Sequence, residues 1–274
     1  MPDDTLRLRQ ICLAAPRLEP VVDDLRAIFD LQVCHRDPGL AAYGLENALL
    51  PVGSDFIEVV APIQADTAAG RFIERTRGHG GYMAIFQALD PVKRQAHAAS
   101  MGVRTAHEID RPDYRSVQLH PRDCRAAFIE LGRSRGGEQR SGSWWPAGPH
   151  WQTHVRTDST RRLHGILLES PEPADLARHW SAILATPLMA SGDADAGADA
   201  NANANANGAE HVLQFEHTKI GFVAGPADAL GTVLLEVADV AATLRRAVLC
   251  GHRIEGDAFH LGGVYFRVQA QPAV

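Results

Sequence analysis

Four times along the chain, an alternating apolar strand runs into a second apolar element and then into further short strands, and this recurrence limits the folds open to it. The clearest copy is Leu6 to Leu31, LRLRQICLAAPRLEPVVDDLRAIFDL. Its first part alternates, placing Gln10, Cys12 and Ala14 on one side of a strand and Ile11, Leu13 and Ala15 on the other. After Pro16, the three-and-four spacing of Leu18, Val21, Val22, Leu25, Ile28 and Phe29 predicts an amphipathic helix. The strand face that does not meet the helix begins with a polar amide. Gln10 is on that ground a candidate site residue, although a lone Gln on a strand is also an ordinary solvated surface residue.

The rest of the first module is predicted as three strands, Gln32 to Arg36, Ala42 to Val52 and Asp55 to Ala61, separated by Asp37-Pro38-Gly39 and Gly53-Ser54 turns. A bridging stretch with a short helix around Arg71 to Arg75 leads to a second module. This has a strand at Tyr82 to Leu89, a helix at Pro91 to Met101, and strands at Val103 to Ile109, Tyr114 to His120 and Arg125 to Gly132. The third has a strand at Leu163 to Leu168, a helix at Pro173 to Leu184 and strands at His211 to Phe215 and Lys219 to Ala224. The fourth has a strand at Gly231 to Val237, a helix at Val240 to Leu249 and strands at Arg253 to Glu255, Phe259 to Leu261 and Val264 to Gln269. The starting strands lie about 70 to 80 residues apart, as internal duplication would place them. The expectation is an α+β protein of four βαβββ modules in two curled mixed sheets. Domains are expected at 1–135 and 161–274, joined by a Trp-, Pro- and Gly-rich connection, 136–160, that Trp144, Trp145 and Trp151 would pin as an ordered strap. Residues 191–208, with alternating Asn and Ala, have no apolar face to bury and are expected to form a disordered loop insertion.

Composition narrows the function. The 274 residues are 45% hydrophobic, with net charge −6 and no basic block, which argues against nucleic acid as a partner. No apolar run approaches the roughly 20 residues that span a bilayer, and MPDDTLRLRQ has no charged segment followed by an apolar one, so a soluble cytoplasmic protein without a membrane partner is expected. Cys12, Cys34, Cys124 and Cys250 are scattered, suggesting neither a disulfide framework nor a thiolate zinc site. Gly78, Gly80 and Gly81 follow no strand and precede no Lys-Ser or Lys-Thr, so no phosphate loop and no nucleotide cofactor are implied.

Two carboxylates stand out. Glu58 lies in Phe56-Ile57-Glu58-Val59-Val60 and Glu130 in Ala127-Phe128-Ile129-Glu130-Leu131. A carboxylate in such a run is costly to bury unless it is paired or bound to a cation. The alternative is that each faces solvent from the open side of its sheet.

The runs LRQICLAAPRLEPVVDDLRAIFDL, YGLENALLPVGSDFIEVVAP, GGYMAIFQALD and VQLHPRDCRAAFIELG together resemble the vicinal oxygen chelate superfamily, the fold of glyoxalases, extradiol dioxygenases and bleomycin-resistance proteins. The resemblance is strong over residues 6–132 and weaker over 161–271. It implies a cup in each pair of modules, with metal ligands on the first and last strands. Carried over by position, Gln10, Glu58 and Glu130 match ligand positions, and the fourth falls on Met83, where the family usually has His. A thioether suits that oxygen-rich set poorly. His79 and Tyr82 flank the position and could substitute for Met83. His164 falls near the first-strand position of module three, whose last strand offers no carboxylate. Thr232 and Arg267 occupy the two positions of module four, so the second pair of modules is expected to be structural or a lid, with Arg267 paired to Glu236.

The resemblance implies a divalent ion, Mg, Mn, Ni, Zn or Fe, and isomerase or lyase chemistry on a small hydroxy-carbonyl substrate, with Glu58 and Glu130 as catalytic carboxylates and Glu130 as the base. Dioxygenase activity fits less well, for want of two His and a carboxylate in the second half. The alternative is a metal-free protein of the resistance type. In it Phe56, Phe128 and Ile85, with Met83 and Tyr82, would line the cup against an amphipathic ligand. His120 is either a ligand-binding or proton-carrying group near the rim or a turn residue before Pro121. Members of this fold often build cups between chains, which leaves a homodimer open.

Overall fold

The computed structural model describes residues 6–190 and 209–270, so the expected loop at 191–208 lies outside the described residues. The strands are β1 (Arg7–Ala14), β2 (Leu45–Val52), β3 (Asp55–Pro62), β4 (Gly81–Gln87), β5 (Thr105–Arg111), β6 (Tyr114–Leu119) and β7 (Phe128–Ser134), followed by β8 (Thr160–Ser170), β9 (Leu188–Ala190), β10 (His211–Gln214), β11 (Lys219–Ala224), β12 (Ala229–Val237), β13 (Ile254–Glu255), β14 (Ala258–Leu261) and β15 (Val264–Ala270). The helices are α1 (Leu18–Phe29), α2 (Ala68–Thr76), α3 (Pro91–Ser100), α4 (Pro121–Cys124), α5 (Pro173–Leu184) and α6 (Val240–Leu249).

The strands form two mixed sheets, ordered β2-β3-β1-β4-β7-β6-β5 and β13-β14-β15-β12-β8-β11-β10-β9. The first strand of a module runs parallel to its last in three modules, as β1 with β3, β8 with β11 and β12 with β15. This is the expected α+β architecture of strand–helix–strand modules.

Local chemistry sets the elements. α5 opens on Pro173 at its first turn and α6 on Asp239, whose side chain accepts from the Ala242 amide. The expected strand Gln32 to Arg36 is instead a single bridge between His35 and Leu49. It stops because Asp37 accepts from the Gly39 amide and starts a 3-10 turn over Pro38–Tyr43, which also shortens β2. β7 begins at Phe128, later than expected, since α4 intervenes and Arg125 adopts φ 71. Arg267 does not pair with Glu236. Glu236, buried, is held by Arg162 at 2.8 Å, and Arg267 pairs with Asp257 at 3.2 Å.

Sheet membership follows the chain halves, β1 to β7 and β8 to β15, whereas the compact units interleave. A terminal unit comprises Arg9–Met83, Ser134–Leu163 and Thr232–Val274; a middle unit comprises Met1–Leu8, Ala84–Arg133 and His164–Gly231.

Within the terminal unit, Phe29 packs against the hairpin aromatics Phe259 and Phe266, at ring-centre distances of 5.8 and 5.4 Å. His252 reaches Asp24 at 3.0 Å, and Arg246 donates to the Ile28 carbonyl. Gly80 is needed at its position because a Cβ there would lie 1.8 Å from the Gly262 carbonyl oxygen.

Within the middle unit, the buried Trp180 donates its indole N–H to the Cys124 carbonyl at 2.9 Å. Arg125 bridges Asp228 and Asp175, each at 2.7 Å, and Ser170 also donates to Asp228. Burial pushes the Asp228 carboxyl up, but its Arg125 and Ser170 hydrogen bonds outweigh that and leave it below the usual carboxylate range. A depressed folded-state value means that this contribution is complete above about pH 4 and is lost as pH falls through the folded value. Arg125→Ala should therefore lower the unfolding midpoint most at neutral pH, with the gap to wild type narrowing as pH falls below the usual carboxylate range; thermal scans of both proteins at descending pH check it, and a pH-independent gap would refute it.

Candidate functional site

In the terminal unit, parallel register places Gln10 beside Phe56 and Cys12 beside Glu58, so all four share one sheet face. Gln10 donates its amide Nε2 to Glu58 Oε2 at 2.8 Å. Asn47, from β2, donates Nδ2 to Glu58 Oε1 at 2.7 Å and accepts the Asp37 amide on its oxygen. The Gln10 oxygen in turn accepts the indole N–H of Trp144 at 2.7 Å. Gln10, Asn47, Glu58 and Trp144 are all buried.

The strap residues close over this set. Trp151 meets the Phe56 ring edge-on at 5.0 Å, and Arg9 lies fully buried with its guanidinium 5.6 to 5.7 Å from the ring centres of Phe56, Trp144 and Trp151. The expected pinning by Trp144 and Trp151 is thus present, and Trp145 is half-buried. Tyr82 packs on Phe72 at 4.8 Å; burial, with Cys12 and Glu58 nearby, raises its hydroxyl above the usual phenol range. Met83 is buried. His79 Nδ1 is engaged with the Gly263 carbonyl at 2.6 Å.

Glu130 lies in the middle unit with different partners. Tyr114 donates its hydroxyl to Oε1 and Gln118 its amide to Oε2, each at 2.9 Å. Gly132 makes room for this, since a Cβ there would sit 2.7 Å from the Tyr114 hydroxyl. Glu130 is 6% exposed, and no cation pairs with it among the described residues. Gln118 and Phe128 are half-exposed and Ile85 is buried. His120 caps α4 by accepting from the Arg122 amide, the turn role before Pro121.

The donors present do not suit the implied metal. An ion shared by Gln10 and Glu58 needs two oxygens aimed at it, but Gln10 turns its NH₂ to the carboxylate and gives its oxygen to Trp144. Rotating the amide would set that NH₂ against the indole N–H, donor against donor. Among the described residues, no three His, Cys, Asp or Glu side chains form a group able to hold a metal. The set Gln10, Glu58 and Glu130 does not fit Mg, Mn, Ni, Zn or Fe.

Four partners escape a sequence reading. Asn47 is hidden in the apolar β2, and Trp144 meets Gln10 from 134 residues away. The other two, Tyr114 and Gln118, carry a signal in their alternation along β6, where Ser116 lies between them.

No protein-family model and no curated protein matches the sequence. Among solved structures, a hypothetical protein from Staphylococcus aureus aligns over 97% of this chain and 99% of its own, at 11% identity and TM-score 0.61. A methylmalonyl-CoA epimerase in complex with methylmalonyl-CoA and NH4+ aligns over 47% of this chain and 95% of its own, at 25% identity and TM-score 0.43. The methylmalonyl-CoA epimerase from Mycobacterium tuberculosis covers 47% and 87%, at 21% identity and TM-score 0.42. With modules of strand, helix and returning strands, first parallel to last, in two mixed sheets, this chain shares its fold with the Staphylococcus aureus protein, and the arrangement is the one that the resemblance to the vicinal oxygen chelate superfamily implies.

Proposed function

We propose that the protein binds a small cationic amphipathic molecule, without a metal, in the cup of its second module, with Glu130 as the anchor. The observation that carries this reading is the state of Glu130: a buried carboxylate held by two neutral donors and paired with no cation among the described residues. A carboxylate so placed is costly unless a cation joins it, and a ligand's ammonium group supplies one. Phe128 and Ile85 offer apolar surface for the rest of the molecule, and the half-exposed Gln118 and Phe128 give access.

The first module is read differently. Glu58 is also held by two neutral donors, but its partners Gln10 and Asn47 are both buried and Trp144 and Trp151 close over them, whereas Glu130 has the half-exposed Gln118 and Phe128 beside it; the Gln10, Asn47, Glu58 and Trp144 set is therefore read as a structural keystone, and Phe56 with its rings belongs to the same closure. The metal-dependent lyase or isomerase reading loses its donor set with the turn of the Gln10 amide.

A thermal-shift panel tests the proposal. Phenethylammonium should raise the unfolding midpoint of the full chain by several degrees at millimolar concentration, as mass action on a native-state ligand requires. Phenylpropionate, of similar size and opposite charge, should not. Equal shifts from both, or a shift from the anion alone, would reject the reading.

A further inference from the structure

Along β6 the side chains of Tyr114, Ser116 and Gln118 alternate onto one face. The outer two reach the same carboxylate, which brackets Ser116 opposite Glu130. Tyr114 spends its hydroxyl and Gln118 an amide N–H on Glu130. Ser116 does neither: it is 0% exposed, and its Oγ has no hydrogen-bond partner among the described residues. Its cross-strand neighbour in register is Ile109, an apolar side chain that offers it nothing.

A strand serine commonly satisfies its hydroxyl from a nearby carbonyl, and a fully buried hydroxyl left unmatched is destabilising relative to alanine. Such a group, set within the polar cluster of the proposed binding face, has the character of a recognition element.

We propose that Ser116 sets the specificity of this cup by hydrogen-bonding a hydroxyl on the body of the ligand, so that the ligand class is a hydroxylated primary amine. This rests on the reading of Glu130 as the ammonium anchor. Glu130 takes the ammonium, Ser116 takes a hydroxyl on a carbon close to it, and Phe128 and Ile85 cover the rest of the carbon skeleton. A site built to hydrogen-bond a ligand hydroxyl discriminates strongly against the analogue that lacks it, because its own polar group is then left unmatched.

Calorimetric titration of the full chain with 2-amino-1-phenylethanol and with phenethylamine, which differ by one hydroxyl beside the ammonium arm, tests the assignment. Wild type should prefer the amino alcohol by about tenfold. Ser116→Ala should bind both amines equally, at the phenethylamine affinity, and should unfold at the same or a slightly higher temperature than wild type. An amino-alcohol preference that survives in Ser116→Ala overturns the role of Ser116 and leaves the Glu130 reading intact. Absence of any preference in wild type does the same without recourse to a variant. Binding of both amines that is unchanged in Glu130→Gln overturns the anchor and, with it, this inference, as does failure of either amine to bind wild type.

Discussion

Trp144→Ala should lower the unfolding free energy by about 4 kcal/mol and the midpoint by roughly 12 °C, the cost of emptying a fully buried indole site in a protein of this size. Trp144 is fully buried, and its N–H is the donor that fixes the Gln10 amide. Without it, Gln10 loses the partner of its oxygen, and the Gln10–Glu58–Asn47 chain loses the contact that sets its direction. Trp144→Phe separates the two effects. It keeps most of the ring volume but removes the N–H together with part of the fused ring, so it should cost about 2 kcal/mol, chiefly the penalty of one buried acceptor left unmatched. Urea unfolding of both variants gives the numbers. A loss below about 1 kcal/mol in Trp144→Ala, outside the range for buried tryptophan, would mean that the strap does not seal the first module.

Glu130→Gln should weaken binding of phenethylammonium about 100-fold, in the range for removing one member of a desolvated charge pair. The substitution is close to isosteric, and Gln can still accept the Tyr114 hydroxyl on its oxygen. Its new NH₂ would face the NH₂ of Gln118, so Gln118 must turn, but the fold should persist. Glu58→Gln gives the contrast. Both Glu58 oxygens accept amide N–H groups, from Gln10 and from Asn47, so the variant should lose stability, with little effect on the ligand. If instead Glu58→Gln abolished binding and Glu130→Gln did not, the roles of the two modules would be exchanged.

Much of the fold was legible in the sequence because its signals are local. α5 and α6 have the predicted boundaries, since the apolar stripe, the opening Pro173 or Asp239 and the Gly251 stop all lie within a few residues. The strand at Gln32 to Arg36 failed because apolar content alone does not secure pairing on the far side of an edge strand, and Asp37 turns the chain with its own side chain. The candidate residues were found by the rarity of a carboxylate in an apolar strand. Their roles were hidden. Which atoms of Gln10 face Glu58 depends on an indole 134 residues further on, and no spacing rule reports an amide's direction. The interleaving of the compact units is likewise a matter of long-range packing. The helix stripes of the first and last modules match each other as well as they would match any other apolar surface.

A metal-free, cation-binding site at Glu130 is tested directly by one titration: phenethylammonium into chelator-treated full-length protein, followed calorimetrically beside Glu130→Gln. A one-to-one binding heat that persists under chelator and falls about 100-fold in the variant is the predicted result. Binding that appears only after a divalent ion is restored, or that is unchanged in Glu130→Gln, would contradict it.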